Sequence, residues 1–290
     1  MSHKPKSLAP LLLLAPFIVL MAIFIWGLAD GVMQSLGHIP AFGLDGFTME
    51  YIKSALANGS FWQSLGISLY IATISAIVAI ILAVLLSFAL STLKKTHGVL
   101  CAIIKIPMFI PWMITGLLMI DLFGKSGWLA RVFHALGMNG AAESISGILH
   151  HPNQLGTIIA FAWACTPFAC FLILTVMSNI SGTYGEAAQT LGAGLWKRFI
   201  NVTLPLCRPI IQSTFLIIQL SCFGSYEIPT LLGMTTPRAL PVEIYYQYHH
   251  YDLRHRPNAM SLNTLALLCS LILAATVHAI FALISRRKKS

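Results

Sequence analysis

Apolar runs of about twenty residues recur from end to end of this 290-residue chain, parted by short polar stretches. They cover about Leu8 to Leu28, Leu65 to Leu90, Leu100 to Ile120, Leu155 to Ser178, Pro209 to Leu232 and Ser261 to Ile284. A hydrocarbon layer about 30 Å thick is spanned by about 20 helical residues. Inside that layer every backbone N–H and C=O must be bonded within the segment, so each run is expected to be a helix. Composition agrees, with 57% hydrophobic and only 9% charged residues, against about 25% charged in a soluble domain. Such a chain cannot cover a water-facing surface. The expected fold class is an all-α membrane protein with six transmembrane helices, forming one polytopic domain over residues 1–290 with its core at 61–285. The first run is too long for a signal-peptide core, and no small-residue cleavage site follows it cleanly, so it is expected to be a retained span. Pro107 and Pro111 fall in the third run and Pro167 in the fourth. All six cysteines lie within or beside apolar runs, where thiols are ordinary packing residues.

Lys and Arg set the orientation. With both termini inside, Lys4, Lys6, Lys94, Lys95, Lys105, Lys197, Arg198, Arg208, Arg286, Arg287, Lys288 and Lys289 are inside, twelve of the 18 basic residues. Seven of the nine acids fall outside, Glu227 lies in the fifth run, and Glu186 alone is inside. The net charge of +9 is thus explained by membrane topology rather than by nucleic acid. Three outer segments remain. Residues 30–60 carry a possible short helix near Thr48 to Ala57. Residues 121–151 carry a possible interfacial helix around Trp128 to Leu136. Residues 235–257 are rich in Tyr, His and Arg.

Between the fourth and fifth runs, residues 186–205 read EAAQTLGAGLWKRFINVTLP, a stretch of mixed polarity in an apolar chain. Tyr184 to Leu195 favours helix, Gly192 and Gly194 permit a bend, and Trp196 to Val202 can form a second short helix that Pro205 and Pro209 end or kink. Leu195, Trp196 and Phe199 are expected to be exposed on this hairpin. The plainer reading is an amphipathic loop resting on lipid headgroups.

This loop resembles the "EAA" loop of permease subunits of bacterial binding-protein-dependent (type I) ABC importers. That loop has Glu-Ala-Ala, then Gly, then an aliphatic residue two before Leu-Pro. Here they are Glu186-Ala187-Ala188, Gly192, Val202 and Leu204-Pro205. The resemblance implies the type I importer permease fold, with a cytoplasmic coupling helix in residues 182–206 between spans four and five. It implies that Glu186, Ala187, Ala188, Gly192, Leu204 and Pro205 couple the chain to cytoplasmic ATPase subunits. Further implied partners are a second permease, the same or homologous, and an extracytoplasmic substrate-binding protein. The sequence has no G-x-x-x-x-G-K-[ST] phosphate loop. The chain is therefore expected to be no enzyme and to hold no cofactor, ATP and Mg being bound by the partner ATPases. The implied location is the bacterial inner membrane.

Residues 223–233, FGSYEIPTLLG, with Ala239-Leu240-Pro241-Val242, resemble permeases of the spermidine/putrescine class. This implies a polyamine or related organic cation as substrate. Related importers carry ferric iron, thiamine, phosphonates, sulfate or molybdate, and these stay open. A carboxylate at mid-span costs about 2.5–3.5 kcal/mol, so it normally faces a cavity or a partner. Glu227 is accordingly a candidate pathway residue, with a structural pair to Arg238 as the alternative. Tyr226, Ser221 and Asp121 are further pathway candidates, and Gln219 is expected to join helices. His249, His250 and His255 invite a metal reading, but ligation needs three or four converging groups with a supporting shell. A solvated outer loop touching a binding protein is preferred, and the same holds for His150 and His151. No Ser-His-Asp or Cys-His arrangement suggests catalysis. A secondary transporter would show inverted repeats and several ionisable relays, and a membrane enzyme would show a clustered site. The sequence has neither inverted repeats nor such relays, and the His-rich outer loop is its only hint of a clustered site.

Overall fold

A computed structural model describes residues 9–92, 97–138, 140, 144–145, 147–180 and 194–287. Apart from one isolated antiparallel bridge between Ile39 and Leu44, its regular structure is helical. The chain divides into two compact units. One comprises Met1–Phe61 and Ile244–Leu268, the other Trp62–Glu243 and Cys269–Ser290.

In the first unit, α1 (Ala9–Ser35) runs through Pro16. From Leu13 to Ile25 most of its large apolar side chains are exposed on all sides. Gly37 ends the following turn at φ 85, where a β-carbon would stand 2.9 Å from the Tyr51 ring. The expected helix near Thr48 to Ala57 is α2 (Glu50–Ala57). Ser261 donates its hydroxyl to the Ser35 carbonyl at 3.0 Å, tying the two segments of this unit together.

The second unit is built on α3 (Gly59–Thr92) and α7 (Leu155–Ile180). The buried face of α3 carries Ser68, Ala72, Ala76, Ala79, Ala83 and Ser87, a small-residue stripe that lets another helix approach closely. Ser87 donates to Ala83 at 2.7 Å and lies 3.2 Å from the Cys170 carbonyl of α7. All six cysteines are free, and Cys165, Cys170, Cys207 and Cys222 are buried. The expected third span is not one helix. Its first part is α4 (His97–Lys105), followed by a 3₁₀ turn (Ile106–Phe109) and, after Pro111, by α5 (Trp112–Phe123). Pro107 and Pro111 lack the N–H groups that a continuous helix would need there. The apolar stretch instead continues through Gly124–Gly127 into α6 (Trp128–Ala135), the expected helix beginning at Trp128.

Next come α8 (Leu195–Leu206) and α9 (Arg208–Gly224), bent by 67°. The expected fifth span is also broken: α9 stops at Gly224, and α10 (Glu227–Leu232) begins anew. Pro229 cannot donate to the carbonyl of Ser225, four residues back, so the break falls there. A final pair, α11 (Leu240–Tyr248) and α12 (Arg256–Arg287), closes the described chain. Among the described residues, five helices are long and apolar enough to cross a membrane, and six if the α8–α9 pair counts as one span.

Candidate functional site: the arm before α9 and the break after it

The arm α8 starts after Gly194, whose backbone is extended. Its first turn is Leu195–Arg198, its middle is a π-helical turn over Phe199–Thr203, and Leu204–Leu206 completes it. Pro205 lies in the last turn and Pro209 in the first turn of α9, which accounts for the bend between them. Leu195 and Trp196 are 59% and 52% exposed, as expected, but Phe199 is only 6% exposed. Its ring lies 4.7 Å from that of Phe88 on α3 and 6.0 Å from that of Trp196, and the Phe88 and Trp196 rings meet edge-on at 4.9 Å. Its contact with the Phe88 ring buries Phe199, so the expectation of an exposed Phe199 is corrected. Leu204 is half-buried and Pro205 exposed. Glu186, Ala187, Ala188 and Gly192, with the helix expected up to Leu195, lie outside the described residues except for its last positions. A cleft of about 170 Å³ lies where α3, α7 and the arm meet, lined by Ser91, Thr92, Met177, Arg198 and Thr203 among others.

The pathway candidates fall into two places. Ser221 is exposed on α9 and lines a cleft of about 250 Å³ with Trp112, Cys165 and Phe168. Cys222 and Gln219 are on the buried side of the same helix, and Gln219 donates to the Thr73 hydroxyl at 3.0 Å, joining α9 to α3. Tyr226 and Glu227 lie beyond the break, outside the lining of that cleft. Tyr226 precedes α10, and its carbonyl accepts from the Thr230 N–H at 2.9 Å and the Thr230 hydroxyl at 2.6 Å. Glu227 opens α10 and is half-buried. A carboxylate in a first helical turn faces the positive end of the helix dipole. Among the described residues it forms no ion pair, because Arg238 pairs with Glu243 at 3.5 Å. Asp121 is exposed near the end of α5.

Three residues that position α10 are not evident in the sequence. Gly116 of α5 meets Leu231: a β-carbon at 116 would stand 2.7 Å from Leu231 Cδ1. His150, expected to be solvated, instead has its Nδ1 3.0 Å from the Gly233 carbonyl. Gln154, 3% exposed, abuts Gly233. In the Tyr/His-rich segment before α12, the His250 and His255 rings lie 4.3 Å apart, tilted by 40°, and Arg256 lies 4.3 Å over the Tyr248 ring. Among the described residues, no group of three His, Cys, Asp or Glu side chains could hold a metal.

Residues 77–290 match the family described as "Binding-protein-dependent transport system inner membrane component". The chain belongs to this family. Its curated relatives include the trehalose/maltose transport system permease protein MalF of Thermococcus litoralis, 25% identical over 76% of this chain and 75% of that protein. Another is the sulfate transport system permease protein CysW of Synechocystis, 24% identical over 70% of this chain and 72% of that protein. In fold, this permease matches the crystal structure of a bacterial ABC transporter involved in the import of the acidic polysaccharide alginate. That match has a TM-score of 0.77 and 17% identity, over 95% of this chain and 96% of the other. The family covers the arm, the break and α12 alike.

Proposed function

We propose that this permease moves a small organic cation, of the polyamine kind, into a bacterial cell. It is paired with a second permease and served from outside by a binding protein. Cytoplasmic ATPase subunits, which hold the ATP and Mg, drive it. The observation that carries this reading is the spacing of Glu186-Ala187-Ala188, Gly192 and Leu204-Pro205 inside the family-matched region. The geometry supplies a route for force. Phe199 seats the arm on α3, and the Pro205–Pro209 bend joins it to α9. A push on the arm therefore reaches two helices at once.

The cation reading rests on Glu227. At about 1.5 Å per residue, the 17 residues of α9 rise about 26 Å, short of an apolar layer about 30 Å thick. The break and the first turn of α10 then fall inside that layer's edge. A carboxylate there with no ion pair among the described residues is tolerated where it lines a polar route, and a fixed charge lining a route selects ions of opposite sign. Glu227→Gln is expected to assemble normally and to lower uptake about tenfold or more, the cost of one charge-assisted contact. Uptake of a labelled polyamine into cells and recovery of the complex measure the two quantities. The likeness to a sulfate permease favours a small anion instead, and normal or raised uptake in Glu227→Gln supports that. Coupling is tested separately. Glu186→Lys is expected to leave insertion intact and to abolish transport-linked ATP hydrolysis or ATPase copurification. Parental values for both remove the arm's assignment.

A further inference from the structure

His150 and Gln154, in the loop before α7, adopt the left-handed backbone conformation at φ 54 and φ 55 without being glycine. Each such residue costs about 1–2 kcal/mol, so surrounding contacts must hold it. Both meet the same place, the C-terminal end of α10. The His150 N–H donates to the Leu232 carbonyl at 3.2 Å. Its Nδ1 lies 3.0 Å from the Gly233 carbonyl oxygen. A carbonyl only accepts, so Nδ1 carries the proton. A helix end leaves its last carbonyls without intrahelical partners, and His150 supplies partners for two of them. On the same turn, Gln154 Oε1 would stand 3.3 Å from a β-carbon at Gly233. That β-carbon would also meet the Pro229 carbonyl at 2.5 Å, so only glycine fits there.

The helix held in this way has six residues, too few to be stable without packing. Its outer contacts therefore fix its position. Its flank is keyed to α5 through Leu231 and Gly116. Its opening residue is Glu227, at the other end from His150. We propose that His150 and Gln154 are positioning residues, a latch that sets α10 and through it the place of Glu227 in the transport route. The latch rests on the reading of Glu227 as a pathway carboxylate. It assigns a task to a loop 83 residues away in sequence from the carbonyl it binds.

The test uses the assembled importer in proteoliposomes, free of native cysteines and carrying Glu227→Cys. The labelling rate of position 227 by a water-soluble maleimide is measured with His150, with His150→Gly and with His150→Asn. Glycine removes the backbone strain and the ring donor together. Asparagine tolerates the left-handed conformation and offers a side-chain N–H near the position of Nδ1. His150→Gly is expected to change the rate about fivefold or more, the factor that loss of one net hydrogen bond gives. His150→Asn is expected to keep the parental rate. Gln154→Gly, read in the same assay, is expected to move the rate in the same direction as His150→Gly. A parental rate in both glycine variants overturns the latch, as does a change in His150→Asn as large as in His150→Gly. Labelling reports the position of α10, whereas uptake by Glu227→Gln reports the pathway reading, so the two fail separately.

Discussion

Gly116 and Leu231 meet so closely that one methyl group decides their packing. A β-carbon at 116 would stand 2.7 Å from Leu231 Cδ1 and 3.4 Å from Leu231 Cβ. The nearer atom ends a flexible side chain, so alanine can be admitted if Leu231 turns aside. A branched side chain cannot be, because the Leu231 stem is in the way. Gly116→Val is therefore expected to lower stability by about 1–3 kcal/mol, the range for overpacking. Gly116→Ala is expected to cost less and to be restored by Leu231→Ala. The purified complex can be followed on heating by the reaction of its buried thiols Cys170, Cys207 and Cys222. Gly116→Val unfolding at the parental temperature would show that the α5–α10 contact is loose. Nothing in the sequence singles out Gly116 among 21 glycines, because its partner lies more than a hundred residues away.

Among the elements, the arm is where burial and exposure divide most sharply within one turn. Trp196 is half exposed while Phe199, three residues on, is buried against Phe88. Phe199→Ala removes a buried aromatic side chain, a change that costs about 3–5 kcal/mol in a packed site. It should detach the arm from α3 and cut uptake strongly while the ATPase still copurifies. Trp196→Ala is expected to cost less, because half of its surface is already outside the contact. Parental uptake in Phe199→Ala would show that the arm does not transmit through α3. The fourth apolar run is reproduced in α7 to within a turn, whereas the third starts before the long apolar helix observed there and the fifth runs through a break. The breaks at Pro111 and Pro229 were less visible, because hydropathy does not register a missing N–H. The burial of Phe199 is not legible in the sequence because the ring that covers it, Phe88, lies on α3, far back in the chain. The contacts of His150 are not legible in the sequence because its carbonyl partners come from α10, far along the chain.

For the whole molecule, the parity of crossings depends on one bent element. Among the described residues, five helices qualify as spans by themselves, and the α8–α9 pair, bent by 67°, makes a sixth if it counts as one span. With six crossings both chain ends face the same side, as expected from the distribution of Lys and Arg. With five, they face opposite sides, and Arg286, Arg287, Lys288 and Lys289 would be carried to the wrong side. Basic residues near a span end resist translocation, so the six-crossing arrangement is favoured. Residues 190 and 248 stand on either side of the bent pair in the chain, which makes them the decisive positions. A single cysteine replacing Thr190 or Tyr248, in a cysteine-free background, should be reached by a membrane-impermeant maleimide from opposite sides of the membrane. In intact cells stripped of the outer membrane, position 248 is expected to label readily and position 190 only after permeabilisation. If neither labels until the membrane is permeabilised, the bent pair is re-entrant and the chain crosses five times; if position 190 labels from outside, the arm faces away from the ATPase side. The proposed coupling role of residues 182–206 would then fall with it, while the family membership would stand.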